Sequence, residues 1–267
     1  TAKPGGSVSG NAMRLPPEQW QALLEAPDAQ ALELLLPRGR SGTASLPPLQ
    51  VPVAALGFQG TAADILEEAL GSQGFVTVQG GALGVTDGTP GTLEAGSAIA
   101  VELLRGDAQL AAIGTVTWVE GNAVFAFGHP MLDRGATAYP MAHAEIVTVM
   151  PRLNSSFKMG AVGDPIGAIS RDYRAGIVGQ LGGSARMVPL TVNLTFPSRV
   201  ASYHFEILDA EALTPAIAGL ATLNSVQSAM QSSGAATQDV QVTVSFADGR
   251  TATTRSTLAG FSPPGEL

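Results

Sequence analysis

Three features of these 267 residues predict a mainly β chain of the α+β class. From Ser97 onward, short apolar runs with partial alternation are separated by Gly, Asp and Asn turn signals, the pattern of strands and hairpins. One stripe at helical spacing stands late in the chain: Leu213, Ile217, Leu220, Leu223 and Met230. Leu, Ile, Val and Phe together number 67, enough to fill a core in a chain of this length.

The elements follow in order. Residues 1–14 are rich in Gly, Ser and Asn and read as a flexible lead-in. Leu15-Pro16-Pro17-Glu18-Gln19-Trp20 opens a helix with a Trp20, Leu23, Leu24 stripe, and a second helical run spans Asp28 to Leu36. Residues 37–52 hold four prolines and read as an extended connector. Thr61–Leu70 is a short helix, with Thr61 as its cap and Gly71 as its stop. Phe75, Val76 and Val78 form a strand. Further strands are expected at Ser97–Arg105, Leu110–Val119, Ala123–Phe127, Ala144–Met150, Ser155–Met159, Ile166–Ser170, Gly176–Leu181, Met187–Phe196 and Ala201–Leu208. Trp118 and Phe125 are expected to pack beneath their hairpin. A helix runs from Glu211 to about Met230. Asp239–Phe246 and Arg250–Leu258 form the clearest hairpin, because Asp248-Gly249 supplies the positive φ angles of a tight turn. The tail at 261–267 is Pro and Gly-rich. This divides the chain into a lead-in at 1–14, a helical and extended region at 15–92, a β core at 93–186, an α+β module at 187–260 and the tail.

Composition excludes several functions. A net charge of −8 argues against a nucleic-acid partner, whose phosphates call for a basic face. The absence of cysteine excludes disulfides, thiolate metal sites and a cysteine nucleophile. His129, His143 and His204 are far apart in sequence with no His-x-x-x-His pair, so no metal site is indicated. The glycine-rich stretches lack the spacing of a phosphate-binding loop, and no cofactor is indicated. No apolar run approaches the roughly 18 residues of a membrane span.

The segment that carries chemistry is Phe125-Ala126-Phe127-Gly128-His129-Pro130. An apolar strand delivers an imidazole to a turn that Gly128 lets bend and Pro130 stiffens. A general base needs this combination of rigid support and solvent access. A turn histidine that merely ends a strand would look the same in isolation. The surrounding order narrows the choice. Gly96-Ser97-Ala98-Ile99-Ala100-Val101-Glu102-Leu103-Leu104-Arg105-Gly106-Asp107 precedes Ala112-Ile113-Gly114-Thr115-Val116-Thr117 and then Phe127-Gly128-His129-Pro130. Ala144-Glu145-Ile146-Val147-Thr148-Val149-Met150-Pro151, Asn154-Ser155-Ser156-Phe157-Lys158, Gly163-Asp164-Pro165-Ile166-Gly167 and Arg171-Asp172-Tyr173-Arg174-Ala175-Gly176-Ile177 follow. Over about Leu93 to Leu181 this order resembles the SpoIVB peptidase family, serine peptidases related to the trypsin-like clan.

The resemblance implies a β-barrel-type core with flanking short helices, an endopeptidase mechanism of Ser-His-Asp type and a protein or peptide substrate. It also implies export to the periplasm, cell envelope or exterior. His129 matches the family's general base. The family's nucleophile sits in a Gly-Met-Ser-Gly-Ser-Pro motif with its acidic partner shortly before it, and neither has a matching position here. In some long members that motif precedes the Gly-His-Pro segment, so the nucleophile is expected upstream of Thr1 and this chain alone is expected to be inactive. The alternative is an inactive β-rich binding or scaffold domain of a bacterial envelope protein. For a triad internal to the chain, Asp133 stands four residues past His129 as a weak candidate for its acidic partner. Ser155, Ser156 and Ser184 are weak candidates for the nucleophile. Asp172 is expected to pair with a neighbouring arginine. The module from Met187 to Leu258 carries no chemically readable motif.

Overall fold

Val51–Leu56 (β1) emerges directly from the proline-rich stretch, so residues 51 and 52 belong to a strand and not to the connector. The computed structural model describes residues 50–79, 92–150, 157–230 and 236–260. All of these lie in the larger of the two units into which the chain divides, Pro47–Leu267. The lead-in, the two N-terminal helices and the tail lie outside the described residues, as do Ser155 and Ser156. The architecture is mainly β.

β1 leads through helix α1 (Gly60–Gly71) to β2 (Phe75–Gln79), which pairs with β1 in parallel. The helix buries Ala62, Ala63, Leu66 and Leu70, one face at helical spacing. Thr61 is not its cap. The N-cap is Gln59, whose side chain makes no capping bond. Helix α2 (Thr214–Ala229) supplies the acceptors instead. Gln227 Oε1 accepts from Ala62 N–H at 3.0 Å, and Asn224 Oδ1 accepts from Gln59 N–H at 3.1 Å. Asn224 also donates to Gly57 O at 2.8 Å, so a residue 4% exposed has both ends of its amide satisfied.

The remaining strands of the main sheet are β3 (Ala98–Gly106), β4 (Gln109–Glu120), β5 (Ala123–Ala126), β6 (Gly135–Met150), β7 (Phe157–Tyr173), β8 (Gly176–Leu181), β9 (Met187–Phe196) and β10 (Arg199–Leu208). The separate segments expected between Ala144 and Ser170 are two long strands, β6 and β7. Their pairing slips at four places; at one of them Ala142 pairs with Pro165 but Ala144 with Val162, leaving Gly163 and Asp164 as an unpaired bulge. That bulge reads in sequence as a turn.

The pairings form a circuit. β4 pairs with β5, β5 with β8, β8 with β7, β7 with β6, β6 with β3, and β3 with β4 again, every step antiparallel. Ile99, Val101, Val116, Val124, Met141, Ile169 and Ile177 belong to the main apolar core. The other end of the β3–β4 hairpin takes different neighbours. Leu110, Ala111 and Ala112 pair with β1, while Leu104 to Gly106 pair with β10. This creates a second run of strands, β2-β1-β4-β3-β10-β9, which spans both sides of residue 186. Both helices pack with this run, and Ile217, Leu220 and Leu223 of α2 join the same core.

Two irregularities set side-chain directions. Between β4 and β5 the register shifts at Thr117, because Val116 faces Ala126 while Trp118 faces Phe125. The shift moves the inward face from even to odd positions, so Val116 and Val119 point to the core. Trp118 therefore does not lie beneath the hairpin. It is 41% exposed, with its indole N–H on Glu120 Oε2 at 3.2 Å. A second shift between Glu102 and Leu104 of β3 accompanies the burial of both Leu103 and Leu104 in the main core. The last hairpin, β11 (Ala236–Ser245) with β12 (Thr251–Gly260), forms its own two-stranded sheet in the expected register. Val242, Val244 and Phe246 on it are 46–47% exposed.

Candidate functional site

His129 follows a strained turn at the end of β5. Gly128 N–H donates to Ala126 O at 2.9 Å, two residues back, while Phe127 between them has φ +70°. This is a γ-turn of the rare positive-φ kind. A non-glycine residue there costs about 1–3 kcal/mol and persists only where the surroundings hold it. Here they do. Phe127 N–H bonds to Thr115 O at 3.0 Å, and its ring covers Gly114 so closely that a Cβ there would lie 2.3 Å from ring carbons. Gly176, the first residue of β8, also passes close; its Cβ would sit 2.8 Å from Ala126 O.

The imidazole of His129 is half-buried and meets the Phe127 ring edge-on, centroids 5.5 Å apart. Its Nδ1 lies 2.9 Å from Pro130 O. A carbonyl oxygen only accepts, so Nδ1 carries the proton and Nε2 is left as the basic nitrogen. That tautomer is the one a general base of this type requires.

Asp172, at the end of β7, organises the loop that follows. It is 0% exposed. Oδ1 accepts from Met131 N–H at 2.8 Å and Oδ2 from Leu132 N–H at 2.7 Å. The amides of Asp133 and Arg134 also face it. Burial raises the Asp172 pKa above the ordinary aspartate value, and the four amides oppose that rise without cancelling it. The expected pairing of Asp172 with an arginine is absent. Arg171 instead donates to Ser170 O at 3.1 Å, and Arg174 pairs with Asp133 at 3.2 Å. The neighbouring Tyr139 hydroxyl has its pKa pushed up to about 12, first by burial and then by the Asp172 charge.

The other sequence candidates lie elsewhere. Asp133 does not reach the imidazole. Its carboxylate goes to Arg174, and its own φ of +53° turns the loop. Ser184 is exposed and leaves the far end of the β5–β8 ladder. In that ladder Ala126 pairs with Ile177 but Ala123 with Gln180, so about 10 Å of strand separates the two exits. His143 lies on β6 opposite Ile99. His204 is exposed on β10 beside Thr191 and Ser202. Among the described residues no cluster of His, Asp and Glu could hold a metal ion, and no helix is long and apolar enough to cross a membrane.

A half-open cavity of about 310 Å³ opens where β3 leaves β6 for β10, with Arg105, Pro140, Ile166, Gly183 and Met187 among its walls. It lies toward the Ser184 end of β8, away from His129. Arg105 at its wall bonds Glu206 Oε2 at 2.6 Å. The buried Glu102 behind it has Arg105 Nη1 only at 3.7 Å, so its Oε2 lacks a hydrogen bond. Burial raises the Glu102 pKa, with Arg105 opposing.

Sequence reading singled out His129 and gave Asp172 an arginine partner in place of the backbone amides it holds. The aspartate sits 43 residues downstream, and its partners are backbone amides, which leave no residue-type signature. No family model matches this chain, and neither does any curated protein or solved structure.

Proposed function

We propose that this chain is the histidine-bearing part of a SpoIVB-like serine endopeptidase, with His129 as general base and the nucleophilic serine supplied from outside these 267 residues. One observation carries the reading: Nδ1 of His129 is committed to Pro130 O, which leaves Nε2 as the base. The circuit of six antiparallel strands supports a barrel-type core of the trypsin-like clan. A strained, over-supported turn ahead of the imidazole is typical of catalytic geometry. The substrate class is a protein or peptide, and export follows from the family resemblance.

The experiment uses the full-length gene product. A Gly-x-Ser-Gly-Ser-Pro motif encoded upstream of Thr1, labelling by a fluorophosphonate, and at least a hundredfold slower labelling in His129→Ala are the expected results (roughly the low end of what general acid–base catalysis contributes). Undiminished labelling in the variant removes His129 from the mechanism, and an open reading frame without the serine motif removes the peptidase reading.

A second reading, an inactive β-rich binding domain of an envelope protein, is favoured by the position of Ser184. Of the candidate serines it alone lies among the described residues, at the far end of β8 from His129. A complete gene product that resists the fluorophosphonate selects it.

A further inference from the structure

We propose that Asp172 is the acidic positioning residue of His129, acting through the Pro130–Met131 peptide unit and not by direct contact. The inference rests on the reading of His129 as a general base. A trans peptide is planar, with its N–H and C=O pointing in opposite directions. Here one plane carries both ends of the connection. Its N–H, on Met131, is held by Asp172 Oδ1 at 2.8 Å. Its C=O, on Pro130, faces His129 Nδ1 at 2.9 Å.

The second carboxylate oxygen takes the next amide, Leu132 N–H, at 2.7 Å, so Asp172 cannot swing away from the first. Its own backbone is clamped between Gly135 and Ile177 on the two flanking strands. A negative carboxylate on the N–H end polarises the whole peptide and makes the Pro130 oxygen a stronger acceptor. That oxygen holds the ring orientation and the Nδ1 proton. The arrangement performs the task of the aspartate in a Ser-His-Asp triad with one peptide unit interposed. Asp133, the nearer acid in sequence, is occupied by Arg174 and takes no part.

The test is imidazole ¹⁵N NMR on this chain, above the pH at which the ring is protonated. In the native protein His129 should be almost entirely the Nδ1–H tautomer, while exposed His204 serves as the internal reference. In Asp172→Asn the preference should be lost, giving a tautomer mixture and faster exchange of the Nδ1 proton. Tyr139 should titrate lower in the same variant than in the native protein, because the Asp172 charge that helps raise its pKa is gone. Asp172→Ser keeps one acceptor without the charge and carries the test if the Asn variant fails to fold. A folded charge-free variant that retains the pure Nδ1–H tautomer overturns the proposal. So does a dominant Nε2–H tautomer in the native protein, whatever the variants do. No nucleophile is needed for this readout, so its failure is distinguishable from a failure of fluorophosphonate labelling.

Discussion

At the scale of single residues, the His129 turn is held by contacts that a small change can break. Gly114 has no Cβ because the Phe127 ring occupies that space at 2.3 Å. Gly114→Ala is expected to destabilise the protein by about 1–3 kcal/mol, the usual cost of overpacking, read from urea midpoints. The loss should shrink when Phe127→Ala is added, since both substitutions address one contact; strict additivity would show that the ring does not depend on the glycine. Sequence alone made His129 visible, because Gly-His-Pro combines a flexible and a rigid neighbour around a titratable ring. It pointed to Asp133 as the acidic partner because proximity along the chain is all that a sequence displays. The partner found in space reaches the ring through backbone atoms, and backbone atoms are the same at every position.

Among the elements, strand positions were legible where alternation, or glycines and turns at the ends, marked them. β8 and β9 begin and end at the expected residues, and the Asp-Gly turn placed the last hairpin correctly. β6 and β7 were read as fragments because each register slip reverses the phase of alternation, and Pro140 and Pro165 imitate strand ends. The capping of α1 escaped sequence reading for a related reason. Its acceptors, Asn224 and Gln227, stand 165 residues away from the amides that they satisfy. Asn224→Leu should cost about 2 kcal/mol in a denaturant titration, since it strands Gly57 O and Gln59 N–H together. A near-neutral result would mean that water replaces the amide at both groups.

For the whole molecule, the buried carboxyls set an unusual pH dependence. Glu102 and Asp172 both have pKa values raised on folding, in each case first by burial. The folded protein therefore binds more protons than the unfolded chain between the ordinary and the raised values. Their contribution to stability is complete below the ordinary values of 4.5 and 3.8. It is lost as pH rises through the folded values. Glu102→Gln should accordingly gain about 1 kcal/mol at pH 7.5 by removing a buried charge with an unsatisfied oxygen, and gain little at pH 4. Urea titrations at the two pH values check this; a gain that is equal at both would place its origin in packing and not in protonation.

The β3–β4 hairpin has a further consequence. One of its ends completes the antiparallel circuit that carries His129, and the other completes the helix-bearing run of strands. Neither body has a full set of backbone partners without those 23 residues, Ala98 to Glu120. Melting either one frees a hairpin edge on which the other depends. The shared hairpin is expected to couple the two bodies in unfolding, so that a lesion in the helical layer also loosens the turn before the imidazole. The His129 turn, anchored to Gly114 and Thr115 of β4, thus depends on a strand that both bodies share.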